Sequence, residues 1–75
     1  MKYDPDQAIH IDYVNWKDER ELRHVIPIKL WWGHTEWHKE NQWLLTVWDL
    51  DKQAQRDYAL SGFKGCFATP PIQHT

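Results

Sequence analysis

The chain has 75 residues, a formal net charge of −2, 41% hydrophobic residues and 27% charged residues. These values exclude a disordered chain and a membrane-spanning chain, and the small acidic excess argues against capture of duplex DNA by bulk charge. A chain of this length forms one domain, residues 1–75, and because it has neither a secretory signal nor a long apolar run we expect it in the cytoplasm.

The first half of the chain is predicted to form two strands joined by a short polar loop. Ile9–Val14 alternates apolar and polar residues with the period of a half-buried strand. The polar loop NWKDE follows, and a second strand is expected over 20–32. Pro27 interrupts this strand and cannot donate a backbone N–H, so it predicts an edge position, a bend or a break.

The second half of the chain is predicted to add three strands. Gly33 begins a polar loop, after which residues 42–50 form the most hydrophobic strand candidate, which is expected to be central. Residues 54–60 alternate again, and SGFKGCF over 61–67 predicts a glycine-hinged turn and a short closing strand. We therefore expect an all-β fold of five short antiparallel strands curled into a barrel, with an ordered core of about residues 8–68 between a loose lead-in and a frayed Pro-Pro tail.

Tryptophan is too abundant in this chain for all of it to lie in the core. Five of the six tryptophans fall within residues 31–48, and a small core would hold about four of the six. Both parities of the strand over 42–50 are apolar, so Trp43 and Trp48 are predicted on opposite faces. Trp37 lies in the polar loop, and we expect it to fold over one open end of the barrel, at the rim where a ligand would enter.

Basic residues are interleaved with these aromatic residues. Four of them are expected on neighbouring strands: Arg20, Arg23, Lys29 and Arg56. Stacking of a base on an aromatic ring contributes about 1–3 kcal/mol, and guanidinium groups bind phosphate in a bidentate manner. This combination favours binding of nucleotides or single-stranded nucleic acid. Arg56 and Tyr58 share one face of a strand, and Trp37 and His38 join them from the loop as candidate ligand contacts.

Metal binding and catalysis are less well supported by the sequence. His34 and His38 are four residues apart, but their order is not HExxH and no third ligand is evident, so a solvated polar loop is favoured over a metal site. Neither the lone serine nor the single Cys66 has the context of a nucleophile, and Cys66 is expected to be a small buried residue. Asp49 and Asp51 lie beside a turn and are expected to cap its backbone amides. We therefore predict no catalytic residue, no metal and no cofactor.

The chain from residue 11 to about residue 65 resembles the WYL domain, a bacterial and phage module with an Sm-like barrel fold. The resemblance is carried by LRHVIPIKLWWG, QWLLTVWDLDK and QRDYAL, which keep the order and spacing of the family's Arg-rich strand, its tryptophan-bearing strand with an aspartate turn, and its Arg-x-aromatic-x-Leu strand. Leu44 stands where the family has its signature tyrosine, and Lys64 stands for the basic residue after the last strand. Most relatives join this domain to a DNA-binding helical domain and use it to sense nucleic acid or nucleotides.

The resemblance implies a small five-stranded antiparallel Sm-like barrel. It also implies a ligand surface that involves Arg23, Trp43, Arg56 and Tyr58. The leading hypothesis is a non-enzymatic regulatory module that binds or sequesters a nucleotide, a cyclic oligonucleotide or a short single-stranded nucleic acid, alone or as a homo-oligomer.

Two other functions fit the sequence less closely. One is a protein-interaction or homo-oligomerisation module, in which exposed Trp48 or Trp31 and an edge strand near Pro27 form the contact surface. The other is a metal-dependent phosphodiesterase that uses the loop containing His34 and His38.

Overall fold

The computed structural model describes residues 3–15 and 17–67, which form one antiparallel β-sheet of five strands. The strands are β1 (Ile9–Val14), β2 (Arg20–Gly33), β3 (Gln42–Asp49), β4 (Ala54–Ala59) and β5 (Phe63–Phe67). Single 3-10 turns lie at Pro5–Gln7 and Leu60–Gly62. The predicted all-β fold is confirmed, and within the described residues no helix has the length and apolar character needed to cross a membrane.

The strands are arranged in the order β4-β3-β2-β1-β5. The hydrophobic strand β3 has a neighbour on each side, as its composition predicts, although β2 is the middle strand. The two outer strands, β4 and β5, are not paired with each other within the described residues. The backbone pairing therefore establishes a five-stranded antiparallel sheet, but it does not close that sheet into a barrel.

Pro27 lies where β2 changes partners. Strand β1 pairs with β2 only as far as Val25, whereas β3 pairs with β2 from Val25 to Gly33. The register with β3 shifts between Pro27 and Lys29, which makes Ile28 an extra residue in a β-bulge. The prediction of an edge position or bend at Pro27 is confirmed. Because the bulge exchanges the two faces of β2, the single alternation expected over 20–32 is interrupted at this point.

The core lies on the face of the sheet that carries Ile11, Tyr13, Val25 and Val47, all of which are buried. Four partly buried residues pack around them: Ile9, Leu45, Tyr58 and Phe63. The Tyr13 ring lies 4.7 Å from the Tyr58 ring and 5.7 Å from the Phe63 ring, measured between centroids. The Tyr13 hydroxyl also accepts a hydrogen bond of 3.3 Å from the backbone N–H of Ala59. A residue of β1 therefore contacts both outer strands.

Three of the tryptophans within residues 3–15 and 17–67 are exposed, which confirms that this small core cannot hold them all. The exposed fractions are 58% for Trp32, 79% for Trp37 and 50% for Trp43. The expectation that Trp37 folds over one end of the barrel is wrong, because its ring is the most exposed of the three. Trp16 lies outside the described residues.

Two tryptophans that could have formed an exposed surface are half-buried instead. Trp48 stacks on Tyr3, with 5.4 Å between ring centroids. The indole N–H of Trp31 donates a hydrogen bond of 2.9 Å to the Thr46 hydroxyl. The exposed surface expected from Trp48 or Trp31 is therefore made by other tryptophans.

The prediction that Cys66 is buried is also wrong, since it lies on the outer strand β5 and is exposed.

Candidate functional site

A buried carboxylate, Asp49, links three strands of the sheet. Its side chain has no exposed surface and lies at the end of β3. Arg23 of β2 forms a forked ion pair with it, with Nη2 at 2.9 Å from Oδ1 and 2.8 Å from Oδ2, and Nε at 3.1 Å from Oδ2. The Tyr58 hydroxyl of β4 donates a hydrogen bond of 2.7 Å to Oδ2. Both carboxylate oxygens therefore accept hydrogen bonds from neighbouring strands.

The turn between β3 and β4 depends on the same carboxylate. The backbone N–H groups of Asp51 and Lys52 donate to Asp49 Oδ1 at 3.0 and 3.1 Å, so the amide-capping role predicted for Asp49 is confirmed. Gln53 completes the turn with a left-handed backbone (φ 51°), and its side-chain amide donates to the Leu50 carbonyl at 2.6 Å. The capping role of Asp51 is not observed, since its carboxylate lies 3.8 Å from Arg23 instead.

The contacts of Asp49 change the proton affinity of each partner. Burial opposes ionisation of Asp49, but the hydrogen bonds from Tyr58, the Lys52 amide and Arg23 outweigh it, so the pKa of Asp49 is below its ordinary value. Burial and the adjacent carboxylate both raise the pKa of Tyr58 far above its ordinary value. Burial lowers the pKa of Arg23, but the ion pair with Asp49 more than compensates and raises it. The network therefore consists of a carboxylate, a guanidinium and a protonated phenol.

A cleft of ≈ 210 Å³ opens beside Tyr58, at the end of the core. Its walls include four of the six predicted ligand contacts: Trp37, His38, Arg56 and Tyr58. The other lining residues are Tyr13, Asn15, Glu21, Lys52 and Asp57. The fold therefore brings the loop between β2 and β3 against β4, although the two segments are separated in sequence by the whole of β3.

The loop that carries Trp37 is held by Thr35. The Thr35 hydroxyl accepts hydrogen bonds from the backbone N–H groups of Trp37, at 3.2 Å, and His38, at 3.0 Å. The Thr35 N–H donates to the His38 carbonyl at 2.9 Å. This turn places the Trp37 indole at the tip of the loop, beside the cleft and in contact with water. A short polar turn explains why the ring does not fold over the core.

The cations and anions of the cleft differ in how firmly they are held. Arg56 is on β4, opposite Val47 of β3. Its side chain makes no hydrogen bond or ion pair with any described residue. The carboxylate of Asp57 accepts a hydrogen bond of 2.6 Å from the Thr46 hydroxyl. Glu21 lies 3.8 Å from Arg23. The guanidinium of Arg56 is therefore available to a ligand, whereas both carboxylates have partners within the protein.

The other two predicted ligand contacts, Arg23 and Trp43, do not line this cleft. Arg23 is occupied by Asp49, with only 13% of its side chain exposed. Trp43 lies opposite Trp32 in the β2–β3 hairpin, with 5.5 Å between ring centroids and 72° between planes. The four basic residues noted in the sequence lie on β2 and β4, which are separated by β3. Arg20 is paired with Asp12, and the Lys29 ammonium lies 5.4 Å from the Trp31 ring centroid.

A second cavity of ≈ 240 Å³ adjoins the cleft and shares three of its lining residues: Tyr13, Asn15 and His38. Its remaining walls include Gln42, Ser61 and Lys64.

No group of three or more potential metal ligands occurs among the described residues, and His34 is hydrogen-bonded to Asn41 at 3.0 Å. His34 is therefore engaged with another residue of the loop between β2 and β3.

Comparison of the chain with protein-family models, with curated proteins and with solved structures finds no match.

Replacing Asp49 by asparagine should destabilise the fold strongly. The substitution leaves the Arg23 guanidinium buried beside a neutral amide, and removal of one member of a buried ion pair costs about 3–5 kcal/mol. We expect the free energy of unfolding in urea to fall by about that amount. The matched control is Asp51→Asn, since Asp51 is exposed and lies 3.8 Å from the same arginine. That variant should change stability by less than about 0.5 kcal/mol. Similar losses in the two variants would contradict the role given to Asp49.

The low pKa of Asp49 also sets a pH dependence for folding. An aspartate in an unfolded chain titrates at about pH 3.9. Because the folded-state pKa is lower, the unfolded state takes up the proton first as the pH falls, and the stabilisation by Asp49 is present above the unfolded pKa. It is lost as the pH falls through the folded pKa.

Between about pH 5 and pH 2 we therefore expect the free energy of unfolding to decrease more steeply in the wild-type protein than in Asp49→Asn. Both proteins would be unfolded with urea in the same stabilising osmolyte, so that the variant starts from a folded state. Equal slopes would show that Asp49 has the same pKa in the folded and unfolded states.

Proposed function

We propose that this protein is a non-enzymatic regulatory module that binds a nucleotide, a cyclic oligonucleotide or a short single-stranded nucleic acid in the cleft beside Tyr58. The single observation that carries the proposal is the presence, in one cleft, of an exposed indole and a guanidinium with no partner among the described residues, those of Trp37 and Arg56. The indole offers a flat surface on which a base stacks, and the guanidinium offers a fork for a phosphate.

The shape of the site supports a ligand that combines a base with a phosphate. Trp37 projects from a turn fixed by Thr35, so stacking on its ring requires little additional ordering of the loop. Tyr58 presents its ring to the cleft while its hydroxyl is held by Asp49. A base would therefore meet aromatic surface at both the outer and the inner end of the cleft.

The charge of the cleft favours few phosphates over many. The cations Lys52 and Arg56 are accompanied by the carboxylates Glu21 and Asp57. A nearly balanced set of charges does not produce the strong attraction on which binding of long polyanions depends. We infer that stacking and one forked phosphate contact supply most of the affinity, so that the salt dependence of binding is shallow.

We further propose that the sheet belongs to a small Sm-like barrel of the WYL type. The three-residue turn Leu60–Gly62 joins β4 directly to β5, and Tyr13 contacts residues on both of these strands. A Cβ atom at Gly62 would lie 2.5 Å from the Val14 carbonyl oxygen, which indicates how closely this turn approaches β1. These contacts support a barrel closed by side chains. We also propose a regulatory role, which the same resemblance implies, and a location in the cytoplasm.

The proposal is tested by isothermal titration calorimetry with three probes at physiological salt: adenosine 5′-monophosphate, cyclic di-adenylate and a short oligouridylate. We expect at least one probe to bind the wild-type protein. Trp37→Ala should weaken that binding about tenfold, because loss of one stacking surface costs about 1–3 kcal/mol. Trp37→Phe should retain part of the affinity, since an aromatic face remains.

Arg56→Gln should also weaken binding of the same probe about tenfold, and its matched control is Arg20→Gln. Arg20 is an exposed arginine that is paired with Asp12 and does not line the cleft. The control should bind as the wild type does. Absence of heat with all three probes would contradict the proposal, and so would equal losses in the two arginine variants.

A further inference from the structure

The hairpin of β2 and β3 extends beyond the rest of the sheet and carries an exposed apolar surface. Leu30 lies opposite Leu45, and Trp32 lies opposite Trp43, so their side chains share one face. Leu30 is 56% exposed, and the exposed fractions of Trp32 and Trp43 are similar. Each tryptophan presents about 150–250 Å² when fully accessible, so the two rings alone expose roughly 200 Å² of largely apolar surface. We call these four residues the hairpin patch.

The same hairpin has a backbone edge that no strand covers beyond Val25, although the turn Pro5–Gln7 contacts part of β2. Strand β1 pairs with β2 no further than Val25, and no other strand of the described residues lies on that side of β2. Because Pro27 has no N–H and Ile28 is the extra residue of the bulge, the part of this edge that can form a regular ladder is residues 29–33. An unpaired edge next to an apolar face is the arrangement by which sheets associate through strand addition.

We propose that a second copy of this chain covers the edge, with the two β2 strands antiparallel about a two-fold axis that passes beside Leu30. Antiparallel pairing of a strand with its own copy is self-complementary, and it closes both edges at once. In this register Leu30 faces Leu30 of the second copy, and Trp32 lies opposite the bulge residue Ile28. The middle of the pairing therefore joins two apolar side chains.

The charge of Lys29 favours this register over the one whose axis passes beside Lys29. Lys29 is the one charged residue of the segment 29–33. With the axis beside Leu30, Lys29 lies opposite Trp31 of the second copy, which suits a cation near an aromatic ring, and Lys29 already lies near the Trp31 ring of its own chain. An axis beside Lys29 would place the two ammonium groups opposite each other, and like charges in that position are destabilising.

The length of the open segment also fits the two-fold pairing. With Leu30 on the axis, Gly33 lies opposite Pro27 of the second copy, and β2 ends at Gly33. Each β2 strand therefore ends before it would meet β1 of the other copy, whose pairing stops at Val25. Pairing of the two β2 strands would join the sheets of the two copies edge to edge. The hairpin patches of the two copies would then lie on either side of the paired β2 strands.

The proposal is tested by sedimentation velocity over a range of protein concentrations. We expect a reversible monomer–dimer equilibrium in the wild-type protein. Leu30→Lys should raise the dissociation constant of the dimer at least about tenfold, because it places two ammonium groups at the axis. The matched control is Leu22→Lys, which replaces a leucine that is 42% exposed on the part of β2 covered by β1. The control should dimerise as the wild type does.

Two further measurements fix the register. An equimolar mixture of Leu30→Lys and Leu30→Glu should recover the dimer, because residue 30 meets its own copy. With Cys66 replaced by serine, Leu30→Cys should form a disulfide-linked dimer under mild oxidation, since directly opposed residues lie about 4.5–5.5 Å apart between Cα atoms. Leu22→Cys in the same background should stay unlinked. Circular dichroism would establish that each variant is folded.

Three outcomes would overturn the proposal. The first is a wild-type protein that is monomeric at every concentration. If such a protein dimerises once residues 68–75 are removed, the chain's own last residues are the occupant of the edge. The second is a dimer that Leu22→Lys disrupts as strongly as Leu30→Lys. The third is a dimer that the mixed Lys and Glu variants fail to recover.

Discussion

The fold and the candidate site both depend on one carboxylate that has no contact with water, that of Asp49. A buried charge is costly unless it is paired and hydrogen-bonded, and Asp49 meets this condition with a guanidinium, a phenol and two backbone amides. These partners come from β2, β4 and the turn between β3 and β4. The carboxylate therefore fixes how three strands meet, at a position where a hydrophobic side chain would leave Arg23 without its hydrogen-bonded carboxylate.

The hydrogen bonds of Asp49 divide the residues around the cleft into two groups. Arg23 and the hydroxyl of Tyr58 are committed to Asp49, so they are part of the structure and are not available to a ligand. Arg56 and Trp37 lie outside the network and contact water. The ligand contacts that we propose are consequently residues that the network leaves unused, and the hairpin patch is the separate surface that we propose for self-association.

Much of the fold could be predicted from the sequence, because strand alternation and turn residues are local signals. The bounds of β1 were predicted as observed, and those of β2, β3 and β4 differ by one residue. The bulge at Ile28 could not be predicted, since an extra residue has no local signature beyond the nearby Pro27. Exposure of Trp37 was also missed, because it depends on how Thr35 shapes the loop.

The partners of Asp49 were missed for a different reason. Arg23 is 26 residues from Asp49 in sequence and Tyr58 is nine residues away, and no local pattern connects them. A signal was nevertheless present, because Asp49 has the same parity on β3 as the core residue Val47, and a charge at a core position requires a partner. The most direct measurement is a double-mutant cycle in which Asp49→Asn and Tyr58→Phe are combined and stability is read from urea unfolding. We expect a coupling energy of at least about 1 kcal/mol between the two residues, and additivity within about 0.5 kcal/mol would contradict the central role of Asp49.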